Sequence, residues 1–223
     1  MEILLSLTEE NYLKAIYHLS DGGQLDVSTT ALSEQMKTKP ATVSDMIKKL
    51  ASKKVINYEK YRGVNISEAG KTLALHVIRK HRLWEVFLVD KLDFNWDEVH
   101  EIAEQMEHIK SPLLVERLDA FLGHPSVDPH GDPIPDKHGN FKVGPTIKLS
   151  EMDLNEQGYF VHVIDDSPQL LQHLDKVGIQ LGDKITVLDK VGFDGSIKIQ
   201  TDLQKEIYFS EQIGSLLSVR KIV

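Results

Sequence analysis

The sequence predicts a mainly α-helical protein that ends in a small β domain. Through most of residues 8–122, apolar side chains recur at the three- and four-residue spacing of amphipathic helices. From Thr146 onward, short β-rich runs separated by glycine turns replace that pattern. A Pro/Gly-rich stretch at 124–139 lies between the two patterns and indicates a loop or linker. The expected order is therefore helices, linker and β domain.

The N-terminal part has the element order of a winged helix-turn-helix. Tyr12 and Ile16 lie at helical spacing after Thr8, which we place as the N-cap of the first helix. Pro40 suits the first turn of the third helix. A helix, a short helix, a helix and two strands are predicted over residues 8–19, 31–36, 41–51, 55–58 and 64–66. This order is typical of a winged helix-turn-helix, which we place at residues 1–66.

Charge separates this part from the rest of the chain. The whole chain carries a net charge of −8, but the segment from Thr29 to Val64 has eight basic and three acidic residues and nets +5. Counterion release favours such a basic patch against DNA phosphates. The predicted DNA contacts on the third helix and the wing are Lys39, Thr42, Ser44, Asp45, Lys48, Lys60 and Arg62. The alternatives are a helix-turn-helix that contacts protein and a solvated basic face.

A set of histidines and glutamates within residues 81–108 points to a metal site. His81 and Glu85 are i, i+4 neighbours on a helix predicted over residues 68–92. The next helical run carries four such residues on one face, spaced i, i+4, i+7 and i+8: His100, Glu104, Glu107 and His108. Imidazole and carboxylate ligands suit divalent Mn, Fe, Co or Zn. The alternative is a pair of solvated helix faces on which histidines occur by chance.

The same helical region has more apolar surface than one core requires. The helix over residues 68–92 has a broad apolar side, and a second apolar face follows at Leu113, Leu114, Leu118, Phe121 and Leu122. Surplus apolar surface of this kind is typical of a self-association interface. We therefore expect a homodimer. The alternative is additional intramolecular core.

The linker and the β runs complete the predicted organisation. Histidines and aspartates in the linker could hold metal, but in proline-fixed turns they more often hydrogen-bond locally, so we assign them a structural role. Five β runs with a helix at about 167–177 predict a small SH3-like barrel. The predicted domains are the winged helix (1–66), a helical metal-binding and dimerisation domain with its linker (67–140) and the barrel (141–223).

Several function classes are disfavoured by features that the sequence lacks. The chain has no cysteine, so it has no disulfide, thiolate metal site or cysteine nucleophile. It has no HExxH run, Gly-rich phosphate loop or nucleophile motif, so we expect neither an enzyme nor a small organic substrate. It shows no signal-peptide pattern and no apolar run of about 18 residues. We therefore expect a cytoplasmic protein without a membrane partner.

Seven short motifs, spread over most of the chain, carry a resemblance to a known family. They are TEENYLKAIY at 8–17, PATVS at 40–44, YEKYRG at 58–63, KHRL at 80–83, WDEVH at 96–100, EH at 107–108 and DPHGDPIP at 128–135. Together they resemble the diphtheria toxin repressor / manganese transport regulator (DtxR/MntR) family of metal-dependent transcriptional repressors. The C-terminal β runs resemble the FeoA-like SH3 domain of the longer family members.

The resemblance implies two metal positions per subunit. The primary set is Asn11, Glu104, Glu107 and His108; the ancillary set is His81, Glu85, His100, Asp166 and Gln169. Iron-responsive members carry a sulfur residue at the Glu104 position and methionine at the Asn11 position, whereas manganese-responsive ones carry carboxylates at both. Oxygen donors at both positions favour Mn(II) first and Fe(II) next. Lys14 stands where manganese regulators without a barrel place a glutamate, which argues against a tightly paired dimetal centre.

Pattern and resemblance together predict a metal-dependent repressor of metal-uptake genes. Metal is expected to tie the first helix, and the barrel through Asp166, to the dimerisation helix. This would fix two DNA-reading helices at the spacing of a palindromic double-stranded operator. Three alternatives stay open: a winged-helix regulator of a non-metal signal, a metallohydrolase, and a metal-buffering or trafficking protein. The dependence of DNA affinity on divalent metal separates the expected function from these.

Overall fold

The computed structural model of the protein describes residues 3–59, 62–142 and 144–222. Its first five elements form the predicted winged helix-turn-helix. They are α1 (Leu7–Leu19), α2 (Thr29–Gln35), α3 (Pro40–Ser52), β1 (Ile56–Glu59) and β2 (Gly63–Ile66). The two strands pair antiparallel, with Ile56 opposite Ile66 and Glu59 opposite Gly63, and so form the wing.

Local hydrogen bonds start α1 earlier than the sequence predicted. Ser6, not Thr8, is the N-cap: its hydroxyl accepts from the Glu9 backbone N–H at 3.4 Å, and its own N–H donates to Glu9 Oε2 at 2.6 Å. This reciprocal capping box satisfies two backbone groups that have no partner inside the helix. α3 begins at Pro40, which suits a first-turn position where no helical N–H bond is lost.

The winged-helix elements enclose one apolar core. Val43, Ile47 and Leu50, the α3 residues predicted to face inward, are buried there with Leu13 and Ile16 of α1. Full burial of each such side chain stabilises the fold by roughly 1.5–3 kcal/mol relative to exposure. This packing fixes the rotation of α3, so its opposite, polar face is presented to solvent.

Three helices follow the wing: α4 (Glu68–Leu92), α5 (His100–Met106) and α6 (Pro112–Phe121). Gly70 in the first turn of α4 lets the helix pass against the backbone of Val55, where a Cβ atom would clash with the carbonyl oxygen. α5 ends at Met106, so Glu107 and His108 lie in the turn behind it, not on one continuous helix as their spacing predicted. In the three described ranges, no helix is long and apolar enough to cross a membrane.

The C-terminal part is a six-stranded antiparallel sheet with two short helices. Its elements are β3 (Ile147–Lys148), β4 (Gln157–Val163), α7 (Pro168–Val177), β5 (Lys184–Lys190), β6 (Ile197–Thr201), β7 (Glu206–Phe209), α8 (Glu211–Leu216) and β8 (Leu217–Lys221). The strand order is β3-β8-β4-β5-β6-β7. The predicted fold class, mainly helical with a C-terminal SH3-like β domain, is confirmed.

By its contacts the chain divides into two compact units. The first comprises Met1–His81, Glu104–Glu116 and Pro135–Phe141; the second comprises Arg82–Ala103, Arg117–Ile134 and Lys142–Val223. Phe160 and Phe209 are the largest fully buried side chains of the second unit, and Trp96 packs against the same core. The boundaries of the three predicted domains stay a prediction. The primary set falls in the first unit, and so does His81, whereas the rest of the ancillary set falls in the second.

Candidate metal centre and DNA-reading surface

Glu104 and His108 of the primary set lie near the buried carboxylate of Glu107 in the first unit. His81 Nδ1 lies 2.6 Å from Glu107 Oε2, and Lys14 Nζ lies 2.8 Å from each oxygen of that carboxylate. Lys14 also reaches Glu104 Oε1 at 3.4 Å. His108 Nε2 is 3.7 Å from Glu107 Oε1. Three predicted ligands therefore lie together, with a lysine among them.

Two neighbouring residues of α1 in the first unit, Glu10 and Asn11, carry further side-chain oxygens. Glu10 Oε2 lies 2.6 Å from Nδ1 of His108 and so orients that ring. The side-chain oxygen of Asn11 is buried and has no hydrogen-bond partner among the described residues. Leaving a buried acceptor unsatisfied costs about 1–3 kcal/mol. A divalent cation is a partner that fits this hard, neutral oxygen. The sequence pattern did not reveal Glu10, because its partner His108 lies far along the chain.

Electrostatics keep Glu107 in the form that binds a cation. Burial raises the pKa of its carboxyl, but the hydrogen bond with His81 and the charge of Lys14 outweigh burial and bring the pKa below its ordinary value. An ionised carboxylate can only accept hydrogen bonds, so His81 donates from Nδ1, and a neutral ring would then carry its lone pair on Nε2. Burial lowers the pKa of nearby Lys80. The negative charges of Glu10 and Glu107 raise it, but by less than burial lowers it.

Three members of the ancillary set meet in the second unit. His100 Nδ1 lies 3.1 Å from Asp166 Oδ2 and 3.7 Å from Glu85 Oε1. The hydrogen bond with His100 brings the pKa of Asp166 below its ordinary value despite burial. Gln169 is exposed in the first turn of α7, and within the described ranges no hydrogen bond joins it to the set. His81, four residues before Glu85 on α4, contacts Glu107 of the primary set.

The linker supplies two further ligand-type residues to which the sequence prediction gave only a structural role. Glu85, Asp128 and His130 are buried, and each offers a donor atom within 4.8 Å of the other two. His130 Nδ1 is 3.9 Å from Glu85 Oε1, while its Nε2 lies 2.7 Å from the carbonyl oxygen of Trp96. Because that carbonyl can only accept, Nε2 donates; in a neutral ring Nδ1 would then carry the lone pair on the side of the carboxylates. The DPHG motif at 128–131 was the signal that could have found them.

The structural role predicted for the linker is present as well. Asp128 Oδ1 accepts from the backbone N–H of His130 at 2.8 Å and of Asp132 at 3.0 Å. Burial, and then the charges of Asp132 and Glu85, raise the pKa of Asp128 well above its ordinary value, against the nearby guanidinium of Arg82. A cation bound among these carboxylates would relieve their repulsion.

The predicted DNA-reading residues of α3 lie on its polar side. Four of them are exposed: Lys39, Thr42, Asp45 and Lys48. Asp45 and Lys48 form an ion pair of 3.1 Å with both side chains in solvent. Ser44 is half-buried, and its hydroxyl donates to the carbonyl oxygen of Pro40 at 2.9 Å. An exposed ion pair contributes little to stability, so Lys48 can exchange Asp45 for a phosphate at small cost.

The wing carries the other two predicted DNA contacts. Arg62 is 71% exposed and pairs with Asp26 at 3.0 Å and Glu59 at 3.4 Å. Lys60 lies outside the described residues. The charges of Asp26 and Glu59 raise the pKa of Arg62. A guanidinium is a cation with or without that shift, so to bind a phosphate Arg62 would exchange these carboxylates for it.

Glu9 connects the start of α1 with the end of α3. Its carboxylate is 1% exposed and lies 2.8 Å from Lys53 Nζ and 3.4 Å from Lys49 Nζ. Burial raises the pKa of Glu9, but hydrogen bonds from Lys53 and Ser6 outweigh it and lower the pKa to about 2. The Ser6-x-x-Glu9 spacing could have identified the capping box, but nothing in the sequence pairs Glu9 with lysines of α3.

Part of the second apolar face is exposed on α6. Leu113, Leu114 and Phe121 are exposed, whereas Leu118 is buried. Phe121 is 64% exposed although its ring contacts Phe87, with centroids 6.4 Å apart. Within the described residues, Leu118 of this face is therefore part of the protein core, whereas Leu113, Leu114 and Phe121 remain exposed to solvent.

Three protein-family models match successive parts of the chain. Residues 4–64 match the iron dependent repressor N-terminal DNA binding domain, and residues 67–136 match the iron dependent repressor metal binding and dimerisation domain. Residues 147–221 match the FeoA domain. These matches follow the order of the winged helix, the helical region and the C-terminal sheet.

One curated relative is the iron-dependent repressor IdeR of Mycobacterium tuberculosis (strain ATCC 25618 / H37Rv). It is 34% identical over 128 residues, which cover 57% of this chain and 55% of that protein. The match therefore spans little more than half the length of that relative. The HTH-type transcriptional regulator MJ0568 of Methanocaldococcus jannaschii is 33% identical over 118 residues, 53% of this chain and 94% of that protein.

Solved structures resemble the chain over nearly its whole length. A manganese-dependent transcriptional repressor in complex with manganese is 34% identical with a TM-score of 0.88, over 96% of this chain and 100% of that chain. The manganese regulator SloR is 34% identical with a TM-score of 0.74, over 96% and 98%. ScaR with bound Cd2+ is 33% identical with a TM-score of 0.78, over 96% and 99%.

Proposed function

This chain belongs to the DtxR/MntR family of metal-dependent repressors, and from that membership we propose that it is a metal-dependent, DNA-binding transcriptional repressor. The observation that carries the proposal is the double role of α1. Glu10 and Lys14 of this helix contact the primary set, while Glu9 contacts the end of α3. A cation bound by the primary set therefore acts on the helix that also holds the DNA-reading helix.

The primary set would hold one divalent ion through Asn11, Glu104, Glu107 and His108. Two observations support this assignment: the Asn11 oxygen has no hydrogen-bond partner within residues 3–59, 62–142 and 144–222, and the buried carboxylate of Glu107 is ionised. A second ion would bind to residues of the ancillary set and of the linker that fall in the second unit: Glu85, His100, Asp128, His130 and Asp166. Gln169 is the weakest member, because it is exposed and has no contact with the set among the described residues. When bound, each ion supplies positive charge that holds carboxylates and imidazoles from separate segments together.

The ligand chemistry favours Mn(II) first and Fe(II) next as the regulatory ion. The primary set offers carboxylate and amide oxygens with a single imidazole and no sulfur. Hard oxygen donors suit Mn(II), whereas sulfur ligands would select softer ions. The manganese complex of one similar protein and the manganese regulator SloR support Mn(II), and the iron-dependent repressor IdeR supports Fe(II).

The DNA partner we infer is a palindromic double-stranded operator bound by a homodimer. Lys39, Thr42, Ser44, Asp45 and Lys48 of α3 would contact the major groove and its phosphates, and Lys60 and Arg62 of the wing would contact the backbone. The exposed apolar residues of α6 would form the dimer interface. The protein would act in the cytoplasm by binding DNA rather than by catalysis.

The mechanism we infer is thermodynamic linkage between metal binding at the primary set and DNA binding by α3. A ligand shifts an equilibrium only by its difference in affinity for the two states. Lys14 and Glu10 already connect α1 to Glu107 and His108. A cation bound there would restrict α1 further, and Glu9 would transmit that restriction to α3. Metal would thus bind the DNA-competent arrangement more tightly, and DNA would raise metal affinity by the same factor.

A DNA-shift titration on promoter fragments of the source genome tests this function. Metal-free protein is compared with Mn(II), anaerobic Fe(II) and Zn(II), in wild type, Glu104→Ala and Glu101→Ala. Glu101 is an exposed acid on the same helix, α5, and serves as the matched control. We expect binding that requires Mn(II) or Fe(II) in wild type and Glu101→Ala and is lost in Glu104→Ala. Equal DNA binding in the presence of chelator would refute a metal-gated repressor.

A further inference from the structure

One carboxylate outside the two metal-ligand sets is held against the wing. The Asp26 Oδ2 atom accepts from Nε of Arg62 at 3.0 Å, and its Oδ1 atom accepts from Nδ2 of Asn65 at 3.0 Å. Asp26 directly precedes Val27, whose backbone exchanges two hydrogen bonds of 2.8 and 2.9 Å with Val64 of β2. Asp26 is therefore fixed both by the backbone next to it and by a side chain of β2.

Arg62 meets two carboxylates in this arrangement, and Asp26 is the stronger partner. Glu59 accepts from Nη1 of Arg62 at 3.4 Å, a longer contact than the one with Asp26. The Glu59 side chain is 68% exposed against 32% for Asp26, so water competes less for Asp26. The charge of Asp26 is also the first cause of the raised pKa of Arg62, ahead of Glu59. The guanidinium and the two carboxylates together carry one net negative charge, at a place where the wing would meet DNA phosphates.

We propose that Asp26 weakens DNA binding by the wing, because it holds the Arg62 guanidinium until a DNA phosphate replaces the carboxylate. Asp26 is a positioning residue in this process: it acts through Arg62 and does not itself contact DNA. A phosphate contact draws its free energy largely from the counterion that DNA releases. Separating Arg62 from Asp26 offsets part of that gain, so each winged helix binds DNA less tightly than its basic residues alone would allow.

The size of this effect depends on how many wings bind at once. The inference rests on the proposed function, because it takes the wing to contact DNA and the DNA-bound form to be a homodimer. Loss of one mostly exposed ion pair changes an equilibrium by about 1.5- to fivefold. A homodimer on a palindrome uses two wings, so the two factors multiply to about two- to twentyfivefold in operator affinity. Asp26 thereby keeps the metal-free protein at low DNA affinity, which a metal-gated repressor requires.

The substitution Asp26→Asn in the full chain tests the proposal, because asparagine removes the charge and keeps an acceptor for Asn65. Asp21→Asn is the matched control: Asp21 lies in the same loop between α1 and α2, and its carboxylate accepts from Gln24. It makes the same change in net charge, at a left-handed φ of 50° that asparagine tolerates. Both substitutions are also made together with Arg62→Gln. Affinity for a promoter fragment that the wild type binds is measured by fluorescence anisotropy at saturating Mn(II).

The expected result is that Asp26→Asn binds the fragment about two- to twentyfivefold more tightly than the wild type, whereas Asp21→Asn binds it with wild-type affinity. With Arg62→Gln, the substitution of Asp26 should have no effect, because the side chain that it releases is absent. Asp26→Ser, which also removes the charge, takes its place if Asp26→Asn does not fold. Equal or weaker binding by the folded Asp26 variants, or an equal gain with Asp21→Asn or without Arg62, would overturn the inference and leave the proposed function intact. Failure of the wild type to bind any promoter fragment would overturn both.

Discussion

At the scale of single residues, Asn11 most directly relates stability to function. Its buried side-chain oxygen has no hydrogen-bond partner in the described part of the chain. A protein that keeps such an atom gives up stability, because water would have satisfied it in the unfolded chain. Functional sites are where that kind of cost is usually retained. Asn11 should therefore be replaceable with a gain in stability and a loss in metal binding.

The substitution Asn11→Leu tests this trade-off, because leucine has a similar size and no polar atom. We expect metal-free Asn11→Leu to be more stable than wild type by about 1 kcal/mol in urea unfolding, since an unsatisfied acceptor is removed. If Asn11 binds the ion as proposed, Mn(II) affinity should fall at least about tenfold by calorimetry, because the substitution removes its oxygen from the primary set. The companion Asn11→Asp should bind Mn(II) more tightly than wild type. A destabilised Asn11→Leu with unchanged Mn(II) affinity would contradict the assignment.

At the scale of elements, α1 connects the primary set to α3 through adjacent side chains. Glu10 contacts His108, and Glu9 contacts Lys53 and Lys49. Residues 9 and 10 point in different directions from the helix, because successive side chains are rotated by about 100°. One helix can therefore serve both sites, and its two contacts can be separated by mutation.

Glu9→Gln should separate metal binding from its effect on α3. Glutamine keeps the reciprocal capping box with Ser6 but loses the charge that holds Lys53 and Lys49. We expect the free energy of unfolding to fall by roughly 1–3 kcal/mol, as when a buried hydrogen bond to a charged group is lost. Mn(II) affinity should change little, while DNA affinity at saturating Mn(II) should fall.

Glu34→Gln is the matched control for this experiment, since Glu34 is an exposed acid of α2. Urea unfolding, Mn(II) calorimetry and DNA-shift titration are measured on both variants. An unchanged metal dependence of DNA binding in Glu9→Gln would show that α3 is positioned by contacts other than Glu9.

Sequence periodicity predicts the elements better than it predicts the site. The inward residues of α3 and the bounds of α4 follow from apolar spacing, because each helix buries one face. Residue spacing wrongly predicted that the helix of α5 continues through His108. The helix ends at Met106, and α6 begins at Pro112 after Ser111, so the chain turns between them. Ligand-type residues were found there all the same, because a turn and a helix both keep near neighbours close.

Contacts between residues far apart in the chain could not be predicted from the sequence. The bonds of Lys14 to Glu107 and of Glu9 to Lys53 depend on how helices pack, and no spacing rule encodes them. The two-residue strand β3 is too short to show alternation. Asp128 and His130 were visible as a motif, but the same residues also make ordinary turn hydrogen bonds. Local chemistry alone could not decide between those two roles.

At the scale of the whole molecule, opposite charges are segregated along the chain. The net charge of −8 coexists with a winged-helix segment, Thr29–Val64, that nets +5. A polyanion is repelled by most of such a protein and attracted by one part of it. One winged helix makes few phosphate contacts, so two copies held at a fixed separation bind a palindrome far better than either alone. DNA binding should therefore depend on self-association.

Phe121→Asp tests that dependence, because Phe121 is 64% exposed on α6, and Leu114 lies seven residues earlier on the same helical face. A charge at either position should prevent two apolar faces from meeting. We expect Phe121→Asp and Leu114→Asp to sediment as monomers at micromolar concentration and to lose Mn(II)-dependent operator binding.

Phe193→Asp is the control, since Phe193 is 97% exposed in the second unit and lies away from α6 in sequence. This substitution should change neither the sedimentation nor the operator binding. Folded variants of α6 that still sediment as dimers would place the interface elsewhere, whereas monomers that bind the operator with wild-type affinity would refute the requirement for two copies.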